Sequence, residues 1–175
     1  MSLSENLRDE MFSGTKKVAE NLKIEASKLQ PWIDAHVPGA GAIKNIEQFK
    51  GGQSNPTYKI TTEGKDLVLR RKPPGKLLQS AHAVDREYKV ITALYETDVP
   101  VPKTYGLCED DDVAGTAFFV MDCLDGNIFW DPMIPSISKE DRIKVYQNKN
   151  KTLAALHSVD YKKVGLEDYG KPNNY

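Results

Sequence analysis

The sequence predicts an α+β domain in which a five-stranded antiparallel sheet carries one packed helix. Strand-length segments that alternate apolar and polar residues are separated by short turns that contain glycine. An amphipathic segment between the third and fourth strands predicts the packed helix, and a nearly continuous apolar segment predicts a buried central strand. One further helix precedes this unit and another follows it.

The first 42 residues are predicted to be an extension that contains one helix. Residues 1–14 carry few apolar side chains, so we expect them to be loosely held. A helix is predicted for residues 22–37, and Pro38-Gly39 ends it. Its core face would carry Leu22, Ala26, Leu29, Trp32 (or Ile33) and His36. Pro31 leaves open a break in this helix.

Three strands are predicted next, at residues 43–49, 57–62 and 66–71. Gly51 and Gly52 separate the first two strands, and a tight turn joins the second to the third. Alternation in the third strand places Arg70 and Val68 on the face opposite Leu69.

The packed helix is predicted for residues 80–97, with an apolar stripe of Val84, Tyr88, Ile91 and Tyr95. Two strands follow it, at residues 104–108 and 116–121, and the second is apolar enough for a central position. The acidic residues 109–112 lie between them and are predicted to form a solvated hairpin tip, because their spacing does not match a calcium loop.

A linker at residues 132–136 is predicted to mark a boundary, which divides the chain into residues 1–42, 43–131 and 132–175. Ser138 and Asp141 predict the start of a last helix that runs to about His157. One face of this helix would carry Ile143, Tyr146, Asn150, Leu153 and Leu156 (or His157).

Composition excludes several classes of protein. Hydrophobic residues make up 39% of the chain and charged residues 28%, which is typical of soluble globular proteins. The 24 basic and 25 acidic residues give a net charge of −1, which argues against a nucleic-acid partner. No apolar run is long enough for a membrane span, and no secretory signal is visible. Cys108 and Cys123 are predicted to be buried thiols of a cytoplasmic protein.

The turn between the first two strands has features of a phosphate-covering loop. Gly51 and Gly52 let a ligand approach the backbone, and Ser54 and Asn55 can donate hydrogen bonds to phosphate oxygens. The turn is not a P-loop, because no Gly-Lys-Ser/Thr follows it and a strand stands in place of the helix. A hairpin with a glycine bulge explains the same residues without a ligand.

Arg70 is a cation on a strand with apolar neighbours. Its burial is costly unless it is paired, and Glu87 on the packed helix is the natural partner. A strand cation held by a helix carboxylate can bind α- and β-phosphates. In the alternative interpretation, Arg70 snorkels at a sheet edge and Glu87 is solvated. Arg71 and Lys72 compete for the same role, and alternation favours Arg70 or Lys72 over Arg71.

The order of these segments resembles the N-terminal lobe of the protein-kinase-like fold, in the branch of aminoglycoside phosphotransferases and choline kinases. The resemblance covers residues 49–157 and is closest to the kinase-like domains that accompany some acyl-CoA dehydrogenases. The motifs that carry it are Gly51-Gly52-Gln53-Ser54-Asn55-Pro56-Thr57-Tyr58, Val68-Leu69-Arg70-Arg71-Lys72-Pro73-Pro74-Gly75, Arg86-Glu87-Tyr88, Val99-Pro100-Val101-Pro102 and Phe119-Val120-Met121-Asp122-Cys123-Leu124-Asp125-Gly126.

The resemblance implies a phosphotransferase that uses ATP (or GTP), with Mg in the complete enzyme, and acts on a hydroxyl of a small molecule. Ser54 and Asn55 would lie over the phosphates, Arg70 would hold them, and Glu87 would orient Arg70. The residues implied around the adenine are Tyr58, Val68, Met121, the Asp122 carbonyl and the Leu124 N–H.

The family's catalytic loop, His-Gly-Asp followed by Asn, has no counterpart here, since His157 is followed by Ser158. We therefore expect the chain to be the nucleotide-binding half of a longer kinase, whose other lobe would bind the acceptor. The alternative is a non-catalytic nucleotide-sensing or protein-interaction module. Such a module would bind a partner, or a second copy as a homo-oligomer, through its last helix.

Overall fold

The sheet has six antiparallel strands rather than the five that the sequence predicts. The computed structural model describes residues 11–51, 54–75 and 82–170. Within them the strand order is β1-β2-β3-β4-β6-β5. The strands are β1 (Thr15–Lys16), β2 (Ile43–Phe49), β3 (Thr57–Thr62), β4 (Asp66–Arg71), β5 (Thr104–Cys108) and β6 (Phe118–Asp122). The additional strand, β1, pairs with the end of β2, with Thr15 opposite Phe49. A strand of two residues is too short to show an alternation of apolar and polar side chains, so only its backbone pairing identifies it.

Four α-helices lie in the described part of the chain: α1 (Ala26–His36), α2 (Val84–Leu94), α3 (Asp111–Ala114) and α4 (Lys139–His157). A short 3-10 turn (Glu20–Leu22) precedes α1, which therefore starts later than predicted. Pro31 lies inside α1 without ending it. Helix α2 is shorter than the predicted range, and residues 80 and 81 of that prediction lie outside the described residues.

Helix α1 covers the outer face of the sheet. Its buried residues, Leu29 and Ile33, belong to the same core cluster as Tyr58 and Ile60 of β3. The predicted core face is wrong at Ala26 and His36, which are exposed, whereas Ile33 is buried and Trp32 packs half-buried against the core. The buried stripe advances by four residues at each step, from Leu29 to Ile33 to Val37, and so faces the sheet from a slightly different side.

Helix α2 packs on the inner face of the sheet, against β5 and β6. Val84 and Leu94 are buried, and the Tyr88 ring lies 6.0 Å from that of Phe119. Tyr95 was predicted to belong to the apolar stripe, but it is 43% exposed. The helix ends at Leu94, and Tyr95 is its C-cap. The sheet is therefore covered by helices on both faces.

The β5–β6 connection differs in form from the predicted hairpin tip. Residues 111–114 form the helix α3, whose N-terminus is capped by the Asp110 side chain accepting from the Asp112 N–H at 2.9 Å. Strand β6 lies between β4 and β5, which confirms its interior position. Cys108 is buried as predicted, whereas Cys123 is only half-buried because it follows the end of β6.

The start of α4 confirms the predicted cap, since the Ser138 hydroxyl accepts from the Asp141 N–H at 3.0 Å. No residue of this helix is buried. Its apolar residues Ile143, Tyr146, Leu153 and Leu156 are between 42% and 51% exposed. Within the described ranges no helix is both long and apolar enough to cross a membrane.

Candidate functional site

The inner face of the sheet carries two rows of side chains that cross three strands. Strand register places Thr57, Arg70 and Phe119 in the first row and Lys59, Val68 and Met121 in the second. The first row follows the glycine turn directly, since β3 begins at Thr57. The second lies two residues further along, or about 6.6 Å, toward the segment that follows β6. Each row thus holds one cation, Arg70 in the first and Lys59 in the second, and the second row places Val68 beside Met121.

Arg70 and Glu87 form the ion pair that the sequence predicts. The Arg70 Nε–H donates to Oε2 of Glu87, and an Nη2–H donates to Oε1 at 3.3 Å. An Nη1–H donates to the Thr57 hydroxyl at 3.0 Å. Both charged side chains are about one-third exposed, so the pair is open to solvent on one side. Among the described residues these bonds use three of the five Arg70 N–H groups, which leaves two for a ligand.

Arg71 is not a competitor for this role, because it faces the opposite side of the sheet. It is 3% exposed, and its guanidinium donates to the backbone oxygens of Ala114 at 2.5 Å and Leu22 at 3.1 Å. Burial lowers the pKa of Arg71 below its usual value. Alternation along β4 therefore separates a cation available to a ligand from one that joins β4 to α3 and the 3-10 turn.

The glycine turn is described in part. Gly52 lies outside the described residues, and Ser54 is exposed at the end of the turn. Asn55 is 2% exposed, and its amide nitrogen donates to Glu87 at 2.9 Å. Its amide oxygen lies 2.9 Å from Nδ1 of His82. The sequence predicted that Asn55 binds phosphate, and it gave no signal for this contact with Glu87 or for a role of His82.

Gly51 lies against two aromatic residues that sequence reasoning did not connect with the turn. A Cβ at Gly51 would lie 3.1 Å from the Phe12 carbonyl oxygen and 3.5 Å from the Trp130 ring. The Phe12 and Trp130 rings are 5.3 Å apart, and the Trp130 N–H donates to the Ser13 hydroxyl at 2.8 Å. Phe12 and Trp130 are 118 positions apart in the chain, so no local pattern predicts their contact.

Tyr58 does not line the inner face with Val68, which corrects the predicted adenine pocket. Tyr58 lies opposite Leu69 on the outer face, fully buried under α1. Its hydroxyl donates to the Leu22 carbonyl at 2.9 Å, and burial raises the pKa of its phenol. Val68 and Met121 share the inner face in adjacent strands, Val68 nearly buried and Met121 half-buried.

At the end of β6 the Asp122 side chain turns to the outer face. Its carboxylate accepts from the Tyr105 hydroxyl at 2.5 Å, and Lys65 donates to the same hydroxyl at 3.2 Å. Burial, followed by the Asp122 contact, raises the pKa of Tyr105 to about 12. The backbone of Asp122 lies at the end of β6, two residues before Leu124, whose side chain is exposed. Across the described ranges, no cluster of His, Cys, Asp and Glu could hold a metal ion.

These features define the class of protein. An antiparallel sheet with a helix-held strand cation, followed by a connector and a further helix, is a kinase-like phosphotransferase fold. A model of the phosphotransferase enzyme family matches residues 45–175, and the chain belongs to this family. The resemblance found in the sequence is therefore confirmed.

Similar proteins agree with this assignment. The chain is 45% identical to a putative aminoglycoside phosphotransferase from Ralstonia eutropha JMP134, whose crystal structure superposes with a TM-score of 0.75 over 87% of this chain. It is 53% identical over 135 residues, 74% of this chain, to the probable acyl-CoA dehydrogenase IBR3 of Arabidopsis thaliana. It is 40% identical over 165 residues, 90% of this chain, to human acyl-CoA dehydrogenase family member 11.

The matched relatives are considerably longer than this chain. The chain spans 44% of the Ralstonia protein, 16% of the Arabidopsis protein and 21% of the human protein.

Proposed function

We propose that this chain forms the nucleotide-binding half of an ATP- or GTP-dependent phosphotransferase that acts on a hydroxyl of a small molecule. The observation that carries the proposal is the position of Arg70. This cation is held by Glu87 at the turn end of the inner face, about one row from Val68 and Met121. The Arg70 guanidinium, beside the apolar side chains of Val68 and Met121, suits a ligand with phosphates at one end and a flat base at the other.

Each described residue has a defined task in this proposal. The two remaining N–H groups of Arg70 donate to phosphate oxygens, and Glu87 keeps the guanidinium fork in one orientation. The exposed Ser54 hydroxyl and the backbone of Gly51 lie in the loop over the phosphates. Val68 and Met121 contact the base, whose edge meets the backbone of Asp122 and Leu124.

Phosphoryl transfer also needs groups that orient the acceptor hydroxyl and neutralise developing charge. Among the described residues no acidic cluster serves this purpose. We therefore assign the catalytic aspartate, the Mg-binding groups and the acceptor site to a second lobe, as the greater length of the Ralstonia relative suggests. A cytoplasmic location, where ATP is abundant, belongs to the same proposal.

Calorimetric titration of the full chain with Mg·ATP and Mg·GTP tests nucleotide binding. We expect saturable binding to the wild-type chain and at least a tenfold loss of affinity in Arg70→Met, because the phosphate-binding cation is gone. Lys28→Met is the matched control, since it removes an exposed cation from α1 on the other side of the sheet. Absence of binding to the wild-type chain, with its fold intact, would refute the proposal.

The exposed apolar face of α4 favours a second candidate function. Ile143, Tyr146, Leu153 and Leu156 are surface-exposed on one helix, and exposed apolar patches mark interaction sites. In this alternative the chain is a non-catalytic nucleotide-sensing or interaction module that pairs with another copy. Sedimentation velocity distinguishes the two, because a dimer that Leu153→Gln converts to a monomer supports the module.

A further inference from the structure

Asn55 connects the glycine turn to the ion pair that lies behind it. Its side-chain nitrogen donates to Oε1 of Glu87 at 2.9 Å, and its oxygen lies 2.9 Å from Nδ1 of His82. The same Oε1 accepts from Arg70, and Oε2 accepts a second bond from Arg70. Four side chains, from three separate segments, therefore form one connected network.

The neighbours of Asn55 fix which way its amide points. The Glu87 carboxylate only accepts hydrogen bonds, so the amide nitrogen must face it and the amide oxygen must face His82. Nδ1 of His82 then carries the hydrogen of that bond. With this assignment every contact joins a donor to an acceptor, and a flipped amide would set oxygen against the carboxylate.

His82 reaches this position from an unusual backbone conformation. Its φ is 60°, in the left-handed region that residues other than glycine seldom adopt. Such conformations persist where surrounding contacts determine them. His82 stands two residues before α2, so its bond to Asn55 ties the start of that helix to the turn.

We infer that Asn55 is a positioning residue, which holds the Glu87 carboxylate against Arg70 and couples the glycine turn to α2. The side chain is almost completely buried and its amide donates to Glu87, so it orients the phosphate-binding cation rather than contacting phosphate. This role deepens the proposed function and rests on it for the nucleotide measurement below. The network itself exists without a nucleotide and is tested separately.

The test compares Asn55→Leu with Asn45→Leu. The first replaces the amide by an apolar group of similar size, and the second makes the same change at an exposed site in β2. The nucleotide-free readout is the Arg70 Nε–H signal in ¹H–¹⁵N spectra, assigned by its loss in Arg70→Lys. In Asn55→Leu we expect this signal to shift and its hydrogen exchange to accelerate about tenfold, because the carboxylate loses one of its two anchors.

In the Mg·ATP titration we expect about tenfold weaker binding by Asn55→Leu and no change in Asn45→Leu. Weaker binding with an unchanged Arg70 signal would overturn the inference, because Asn55 would then act on phosphate directly. An unchanged signal and unchanged affinity would overturn it as well. If the wild-type chain binds no nucleotide, the proposed function fails while the Arg70 signal still decides the role of Asn55.

Circular dichroism establishes that each variant is folded before its spectrum is interpreted. If Asn55→Leu does not fold, His82→Phe replaces it, since this change keeps an aromatic ring at a half-exposed position and removes the nitrogen that bonds to Asn55. The expected result is faster exchange of the Arg70 Nε–H, and exchange at the wild-type rate counts against the network.

Discussion

Arg70 and Arg71 are neighbours in β4, yet their guanidinium groups lie on opposite faces of the sheet. Arg70 meets a carboxylate and is partly open to solvent, whereas Arg71 is buried and donates to two backbone oxygens. The Nε of Arg71 has no hydrogen-bond partner among the described residues. One strand thus uses the same residue type for a candidate binding role and for holding distant segments together.

Replacement of Arg71 is expected to destabilise the fold. Arg71→Ala removes the donors to Ala114 and Leu22 and leaves a cavity, so we predict a loss of about 3 kcal/mol in the free energy of unfolding. Arg86→Ala, at an exposed position of α2, removes a contact with the Tyr169 ring and is expected to cost no more than about 1 kcal/mol. Urea unfolding followed by tryptophan fluorescence measures both. Equal costs for the two variants would contradict a structural role for Arg71.

The Lys59–Asp66 pair predicts a pH dependence of stability. The Lys59 Nζ lies 2.7 Å from Oδ2 of Asp66. The hydrogen bond between them lowers the pKa of Asp66 and raises the pKa of Lys59. The Asp66 contribution is present above the usual carboxyl pKa of about 3.9 and is lost as the pH falls through the lower folded value. The Lys59 contribution is present below about pH 10.4 and is lost as the pH rises through the higher folded value.

Lys59→Met should therefore lower stability by about 0.5 kcal/mol at neutral pH, as is usual for a partly exposed pair. The difference from wild type should vanish in strong acid and in strong alkali. Thermal unfolding between about pH 2 and pH 12 measures it, since the folded pKa values lie beyond the usual ones of about 3.9 and 10.4. Lys44→Met, at an exposed position of β2, is the control, and the same bell-shaped difference in that variant would exclude the ion pair as the cause.

Gly64 should tolerate no side chain. A Cβ there would lie 1.9 Å from the Gly39 carbonyl oxygen, while the Gly64 N–H donates to Ala40 at 2.7 Å. Backbone atoms cannot move aside as a flexible side chain would, so Gly64→Ala should cost at least about 2 kcal/mol and lower Tm by roughly 4–8 °C. A Cβ added at Gly126 would have nothing within 4 Å, so Gly126→Ala should leave Tm almost unchanged. Similar Tm values for both variants would show that the turn at Gly64 can separate from residues 39–40.

The same leucine-to-alanine change in α1 and in α4 should have very different effects on stability. Leu29 of α1 is fully buried and Leu153 of α4 is 51% exposed. Leu29→Ala should lower the free energy of unfolding by about 3 kcal/mol, whereas Leu153→Ala should change it by less than about 0.5 kcal/mol. Denaturant unfolding measures both. A large cost at Leu153 would mean that α4 is covered in solution, and sedimentation velocity would then identify self-association.

Much of the fold could be predicted because its signals are local. The bounds of β3 and β4 agree with the sequence, since alternation and the intervening turn fix both the strands and their faces. The helix cap at Ser138 follows from a three-residue spacing. Strand β1 could not be predicted, because only its pairing with β2, more than thirty positions away in the chain, identifies it as a strand.

The sequence by itself indicated Glu87 as the natural partner of Arg70, because burial of a cation is costly unless it is paired, and the structure decided for this pair over a snorkelling Arg70. The sequence also determined that Arg70 and Val68 share a face. Only the tertiary structure decided that Tyr58 lies under α1, that Asn55 holds Glu87 and that Trp130 reaches Phe12. Those contacts depend on strand register and on helix packing across long chain separations, which no local period encodes.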